Sequence, residues 1–283
     1  MKKNIIAFKN KELNHLATGR LSKTGQDYKI VELTKQQIPE ILALQSKVVD
    51  DLKPEEKSFV LSKDKDFFEK HFDDGNDMLG IIVDGKLIAQ SILLYPSDKN
   101  PKTGMVDMDA VANPNETSVM QGVLVDADYR GNHLMDMMIG HWMDHATSKG
   151  RTHLLSEIET HNIASWASFM KGGMNLHSIG TDPDDGAILY NAHIKQEDLP
   201  AKKESIAGLF NIAAKKKNSL KSCQMDDINA QKKLFKKGYV CVAFAKQCKK
   251  LTFVDGQTYQ DWQKDHKQKA AAYLNFKDKA AFI

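Results

Sequence analysis

The sequence predicts an α/β (α+β) chain on a mixed, mostly antiparallel sheet, and three patterns carry that expectation. Apolar runs flank Asp84-Gly85 and again flank Asp182 to Gly186, which reads as two hairpins. The stretch Met120 to Met174 reads as strand, tight turn, helix, strand, helix, because Val123-Leu124-Val125 runs into polar Asp126 to Asn132 and then into an apolar face of helical spacing. Beyond residue 195 the composition changes to a lysine-rich mixture of helical stripes and short strands.

Each element has its own reason. Residues 1–26 have weak periodicity and read as an N-terminal arm, with Asn4 to Phe8 able to add a strand. Tyr28 to Leu33 alternates as a first strand, and Thr34 with Gln37 three places on forms a capping box. Ile38, Ile41, Leu42, Val48 and Val49 give the helix that follows one apolar face. A second helix, broken near Lys63, carries Phe67, Phe68 and Phe72 and stops at Gly75. Leu79 to Val83 and Leu87 to Tyr95 make the first hairpin. The loop Pro96 to Asn115 is long enough to serve as a lid or acceptor-binding loop. Val119 to Val125 is the next strand, and Leu176 to Thr181 with Ala187 to Ile194 closes the core.

In the last part, Ile206, Leu209, Phe210 and Ala213 mark an amphipathic helix. Tyr239 to Phe244 and Leu251 to Val254 mark a strand pair, and Tyr259, Trp262, Ala270 and Tyr273 a final helical stripe. Net charge is +3 overall and +9 from residue 196 onward, which leaves −6 before it. A lysine-rich face of this kind is most simply a solvated face.

Composition excludes several classes. Hydrophobic residues make up 41% of 283, so a folded core is expected. No apolar run approaches the roughly 18 residues of a membrane span, and the N-terminus is too short in its apolar part for a signal peptide. A cytoplasmic location without membrane insertion is therefore expected, and nucleic acid is not an expected partner. Cys223, Cys241 and Cys248 are odd in number and form no CxxC, which argues against a disulfide framework.

The chemistry concentrates after Val125. Amides at a helix N-terminus point outward unpaired at the positive end of the dipole, so a loop holding Arg130 and Gly131 there suits a pyrophosphate. Placed after Val125-Asp126-Ala127-Asp128-Tyr129, the run Arg130-Gly131-Asn132 resembles the acyl-CoA signature of the GNAT superfamily of N-acetyltransferases. Asn162-Ile163-Ala164-Ser165 followed by Phe169-Met170-Lys171-Gly172-Gly173-Met174 resembles that superfamily's second signature.

The resemblance implies a GNAT-type acyl-CoA N-acyltransferase fold over residues 27–195, splayed at the cofactor site, with residues 196–283 as an accessory subdomain. It implies acetyl-CoA as co-substrate and a small-molecule or protein amine as acceptor. It implies cofactor contacts from Leu124, Val125, Arg130, Gly131, Asn132, His133, Leu134, Met135 and Asn162, with Leu124 and Val125 offering backbone amides to the thioester oxygen. The superfamily favours glycine or alanine where His133 stands, and its usual acid, a tyrosine, would stand at Phe169. Where many relatives carry a base glutamate this chain has Gln121, and an amide takes no proton at neutral pH. Glu157 and Glu159 share one face of the strand His153 to Thr160, and like charges that close resist joint ionisation, which suits one of them to a base's task. Tyr129 and Tyr190 are the other proton donors at hand. A catalytically weak or inactive CoA-binding or protein-interaction module is the alternative.

His141, Asp144 and His145 share a helix, and two histidines four apart can bind zinc. Trp142 stands where a metalloprotease would carry glutamate and no third ligand is evident, so no metal is expected. Met135, Met138, Ile139, Trp142 and Met143 read as core-facing.

Overall fold

A computed structural model describes residues 13–100, 113–182 and 185–266. Asn4 to Phe8, most of the Pro96 to Asn115 loop, Pro183-Asp184, and the stripe residues Ala270 and Tyr273 lie outside them. The chain forms two compact units, Met1–Ser156 and Glu157–Ile283, a division that falls inside a strand.

Among the described residues of the N-terminal unit, six strands lie in the order β1 to β6: β1 (His15–Arg20), β2 (Asp27–Leu33), β3 (Asp77–Val83), β4 (Lys86–Leu94), β5 (Thr117–Val125) and β6 (His153–Glu159), the last crossing the division. Neighbours are antiparallel except β5 and β6, which are parallel. Part of the expected arm is thus a strand, β1, registered on β2 from His15↔Val31 to Arg20↔Asp27.

Local chemistry sets the boundaries. Thr34 and Gln37 form the expected capping box, and α1 (Ile38–Asp51) follows it. Asp64 caps α2 (Lys65–Asp73) by accepting the Phe67 amide at 2.8 Å. Asp84 and Gly85 turn the β3–β4 hairpin with φ of 48° and 71°, the left-handed pair that a two-residue turn demands. Ile38, Ile41, Leu44 and Val48 of α1 and Phe68 of α2 pack with Met78, Ile82, Ile92, Val119 and Leu124 on one sheet face. Ser118 points to the other face, because side chains alternate along a strand, and there it accepts the indole N–H of Trp142 from α3 (Leu134–Ser148) at 2.8 Å.

The C-terminal unit carries α4 (Ile163–Gly172), β7 (Asn175–Thr181), β8 (Ile188–Lys195), α5 (Leu199–Lys215), β9 (Leu220–Gln224), α6 (Ile228–Lys236), β10 (Tyr239–Ala245) and β11 (Lys250–Asp255), and residues 256–266 are helical. Its strands lie in the order β8-β7-β10-β11-β9, all antiparallel. Residues beyond 195 are built into this sheet, since β10 pairs with β7 at Cys241↔Leu176. Leu209, Ala213, Val240, Val242, Val254, Tyr259 and Trp262 form its own core cluster. Two elements here, β9 and α6, have no counterpart in the sequence reading. Among the described residues no helix is long and apolar enough to cross a membrane.

Candidate functional site

The site begins where β5 and β6 part. Their pairing covers Thr117↔His153 to Val119↔Leu155, and at the next step the Ser156 hydroxyl donates to the Met120 carbonyl at 2.9 Å. On the other side β5 stays paired with β4 but carries a bulge: Gln90↔Leu124 and Ile92↔Gln121 leave Gly122 and Val123 opposite Ser91. Gly122 has φ 55°, a left-handed backbone that favours glycine at the bulge, and a Cβ there would displace the end of the Ile92 side chain. The Asp126 amide donates to Ile88 of β4 at 2.9 Å. Alternation along the strand then turns the Leu124 amide toward β4 and the Val125 amide toward the opposite edge.

Beyond Val125 the chain makes one 3-10 turn, Ala127–Tyr129, and enters α3. The Tyr129 and Arg130 amides close this turn on Asp126 and Ala127 carbonyls at 3.0 and 3.2 Å, so the Arg130 amide is already committed. The first helical bond runs from the Met137 amide to His133 at 3.0 Å. Helix geometry therefore leaves the first-turn amides of α3, Leu134 and Met135 among them, without an intrahelical carbonyl. Gly131 (φ 80°) and His133 (φ 59°) are both left-handed, which gives a physical reason for glycine to suit position 133. The His133 ring is exposed, with Nδ1 3.3 Å from an Asp136 oxygen. The Leu134 side chain is buried.

Asn132 is buried, and its side chain serves the loop itself. Its Nδ2 donates to the Tyr129 carbonyl at 2.9 Å, while its Oδ1 accepts the Lys23 amide at 2.8 Å. Asp126 is likewise fully buried. It accepts from Lys47 of α1, from Lys86 at 2.9 Å, and from the Asp128 amide at 3.2 Å. Burial opposes its charge, but the two ammonium groups outweigh that and hold the carboxyl below its usual range. Lys86 also lies 5.7 Å over the Tyr129 ring.

The remaining candidates belong to the C-terminal unit. Glu157 and Glu159 are half-buried and alternate with buried Ser156 and Ile158, as one face of a strand requires. Glu159 has an oxygen 3.9 Å from His161 Nδ1. Asn162 caps α4, its side chain accepting the Ser165 amide at 3.2 Å, and Gly173 (φ 113°) ends that helix. Phe169 is buried at the place of the usual tyrosine. Tyr190 is fully buried, donates to Gln231, and is pushed well above its ordinary pKa by that burial, so it suits proton donation poorly.

His145 is drawn into a structural network. Its ring nitrogens lie 3.1 Å from Glu32 and 2.8 Å from Asp77, and Lys149 and Tyr95 also reach Asp77, each at 2.7 Å. Among the described residues no group of three or more His, Cys, Asp or Glu is arranged to hold a metal. The sequence reading gave no role to Lys23, Lys47, Lys86 or Asp126; of these only Asp126 stands inside the signature, where a role could have been sought.

No family profile matches the chain, and no curated protein matches it. Solved structures do. An N-acetyltransferase from Staphylococcus aureus Mu50 matches at 16% identity and TM-score 0.45, over 60% of this chain and 98% of that one. A GNAT-family acetyltransferase from Streptococcus pneumoniae matches at 16% identity and TM-score 0.44, over 59% and 98%. The Salmonella typhimurium protein yncA, described as a candidate acetyltransferase and solved with acetyl-CoA, matches at 15% identity and TM-score 0.45, over 60% and 94%. This chain's own element order is α1 and α2 after strand β2, the β3–β4–β5 meander, the β5–α3–β6 crossover and the β7–β8 hairpin.

Proposed function

We propose that this chain is an acyl-CoA-dependent N-acetyltransferase that takes acetyl-CoA as co-substrate and acetylates a primary amine, on a small molecule or a protein. The observation that carries the reading is the continuous run of bulged β5 edge, left-handed loop and α3 N-terminus, which offers amides to an acyl thioester and its pyrophosphate along one stretch of chain. Bound there, acetyl-CoA would supply the activated acetyl group. The Val125 amide would steady the charge that develops on the carbonyl oxygen, whereas the Leu124 amide, turned toward β4, would not reach it. The amides of Gly131 to Met135 would bind the phosphates, while Asn132 and Asn162 contribute through the loop and helix end they cap. Glu157 or Glu159 would take the proton from the acceptor ammonium. With Phe169 unable to give a proton, Tyr129 or water would protonate the leaving thiolate. A cytoplasmic location fits this reading.

Buried Phe169 and Tyr190, locked onto Gln231, favour a second reading, a weakly active or inactive CoA-binding or protein-interaction module. Free-thiol release from acetyl-CoA, measured against a panel of small and peptide amines up to alkaline pH, separates the two. Amine-dependent release that falls in Glu157→Gln or Glu159→Gln supports the enzyme. Binding of CoA with no release for any amine supports the module.

A further inference from the structure

The turn between β1 and β2 docks on the signature loop. It is closed within itself by the Gly25 amide to the Leu21 carbonyl and the Leu21 amide to the Gln26 carbonyl, both at 2.9 Å. It is fixed to the β3–β4 turn by Gln26, whose side chain donates to Asp84 at 2.8 Å. From that base Ser22 and Lys23 reach Asn132: the Lys23 amide at 2.8 Å and the Ser22 hydroxyl at 3.4 Å both donate to Asn132 Oδ1. The Lys23 side chain then lies across the loop, with its ammonium 3.3 Å from the Arg130 carbonyl. A Cβ built on Gly131 would fall 2.2 Å from that nitrogen, so the ammonium covers the face that glycine leaves open.

The lysines around this loop differ in one respect. Lys47 and Lys86 are both neutralised by Asp126, and Lys47 also by Asp128 at 2.6 Å. Among the described residues no carboxylate lies within ion-pair distance of Lys23, whose polar contact is the neutral Arg130 carbonyl. A fixed main chain thus holds an exposed, uncompensated cation beside outward amides.

We propose that Lys23 is a ligand of the diphosphate group that the loop binds, so that the β1–β2 turn forms part of the cofactor site. This rests on the acyl-CoA reading above. The ammonium keeps its place over Gly131 and exchanges the carbonyl, or shares it, for a phosphate oxygen. The turn's hydrogen bonds to Asn132 use the Lys23 backbone, so the side chain can be changed without removing the strap.

Calorimetric titration of CoA into wild type, Lys23→Ala and Lys23→Arg at low and high salt tests this. Wild type should bind. Lys23→Ala should bind about tenfold more weakly at low salt, as expected for losing one charge-assisted contact at an exposed site. Lys23→Arg should restore most of the affinity, and the gap between wild type and Lys23→Ala should narrow as salt rises, which a merely structural role would not produce. Wild type and Lys23→Ala binding equally well, or Lys23→Ala binding more tightly because the ammonium blocks the loop, overturns the role of Lys23 and leaves the acyl-CoA reading standing. No CoA binding by wild type sinks that reading, and Lys23 with it.

Discussion

Lys47, in the middle of α1, donates to the buried carboxylate of Asp126 at the end of β5, and that one carboxylate also holds Lys86 and the Asp128 amide. A helix, a hairpin and the signature loop therefore meet on a single side chain. Asp126→Ala leaves two ammonium groups and one amide without their acceptor. It should cost about 2 kcal/mol, less than a fully buried pair because both lysines reach solvent. Asp126→Asn keeps an oxygen for the Asp128 amide and should cost less. Urea unfolding measures both, and equal stability of wild type and Asp126→Ala contradicts the anchoring role.

His71 gives a second prediction, in pH. Burial lowers its pKa, against the Asp77 carbonyl that accepts from Nε2 at 2.8 Å, and Nδ1 is buried without a hydrogen-bond partner. The folded pKa lies below the unfolded value of about 6.5, so the folded state binds fewer protons here. The stability this lends is complete above that value and is lost as pH falls toward the depressed one. Wild type should therefore lose more stability than His71→Gln between about pH 7 and pH 5, read as denaturant midpoints. Parallel midpoints for the two proteins across that range would show that His71 does not titrate with folding.

Asp77 and Asp126 act lower on the scale. Burial opposes the charge of Asp77, but hydrogen bonds from His145, Lys149 and Tyr95 outweigh it and hold its carboxyl far below the usual range. Carboxyls depressed in the fold stabilise it above their unfolded pKa, about 3.9, and the benefit disappears as pH falls through the depressed folded values. The stability deficit of Asp77→Asn relative to wild type should therefore be smaller in acid than at neutrality, where it is full. An unchanged deficit at pH 2 and pH 7 contradicts the linkage.

His133 holds a left-handed backbone that glycine adopts without cost, and its side chain makes no cap hydrogen bond to α3. His133→Gly should raise stability by about 1 kcal/mol, offset in part by the greater freedom of glycine in the unfolded chain. A fall in melting temperature would show that the exposed ring contributes more than its contact with Asp136 suggests.

Much of the fold was legible because local chemistry fixed it. Asp84-Gly85 dictates its own turn, Thr34 and Gln37 cap each other, and the period of Ile38, Ile41 and Val48 names the buried face of α1. β1 was not, since His15 to Arg20 is short and half-exposed, and only pairing with β2 makes it a strand. α6 escaped notice for a related reason: Gln231 is its one buried residue, so it shows little apolar stripe. In the site, Gly131 and His133 stood out by type and spacing. Asp126 read as ordinary loop polarity, because Lys47 and Lys86 come from distant segments. Lys23 gave no local sign at all, as Asn132 and Gly131 meet it only through the folded sheet.

Gly131→Glu tests most directly whether the loop opening α3 binds the phosphates of CoA. Position 131 has a left-handed backbone, and a glutamate there would set a carboxylate beside Lys23 where phosphate is to sit. Calorimetry with CoA should give binding to wild type and none to a Gly131→Glu protein whose circular dichroism and melting show it folded. Unchanged affinity in that folded variant would contradict the account and move the cofactor site elsewhere.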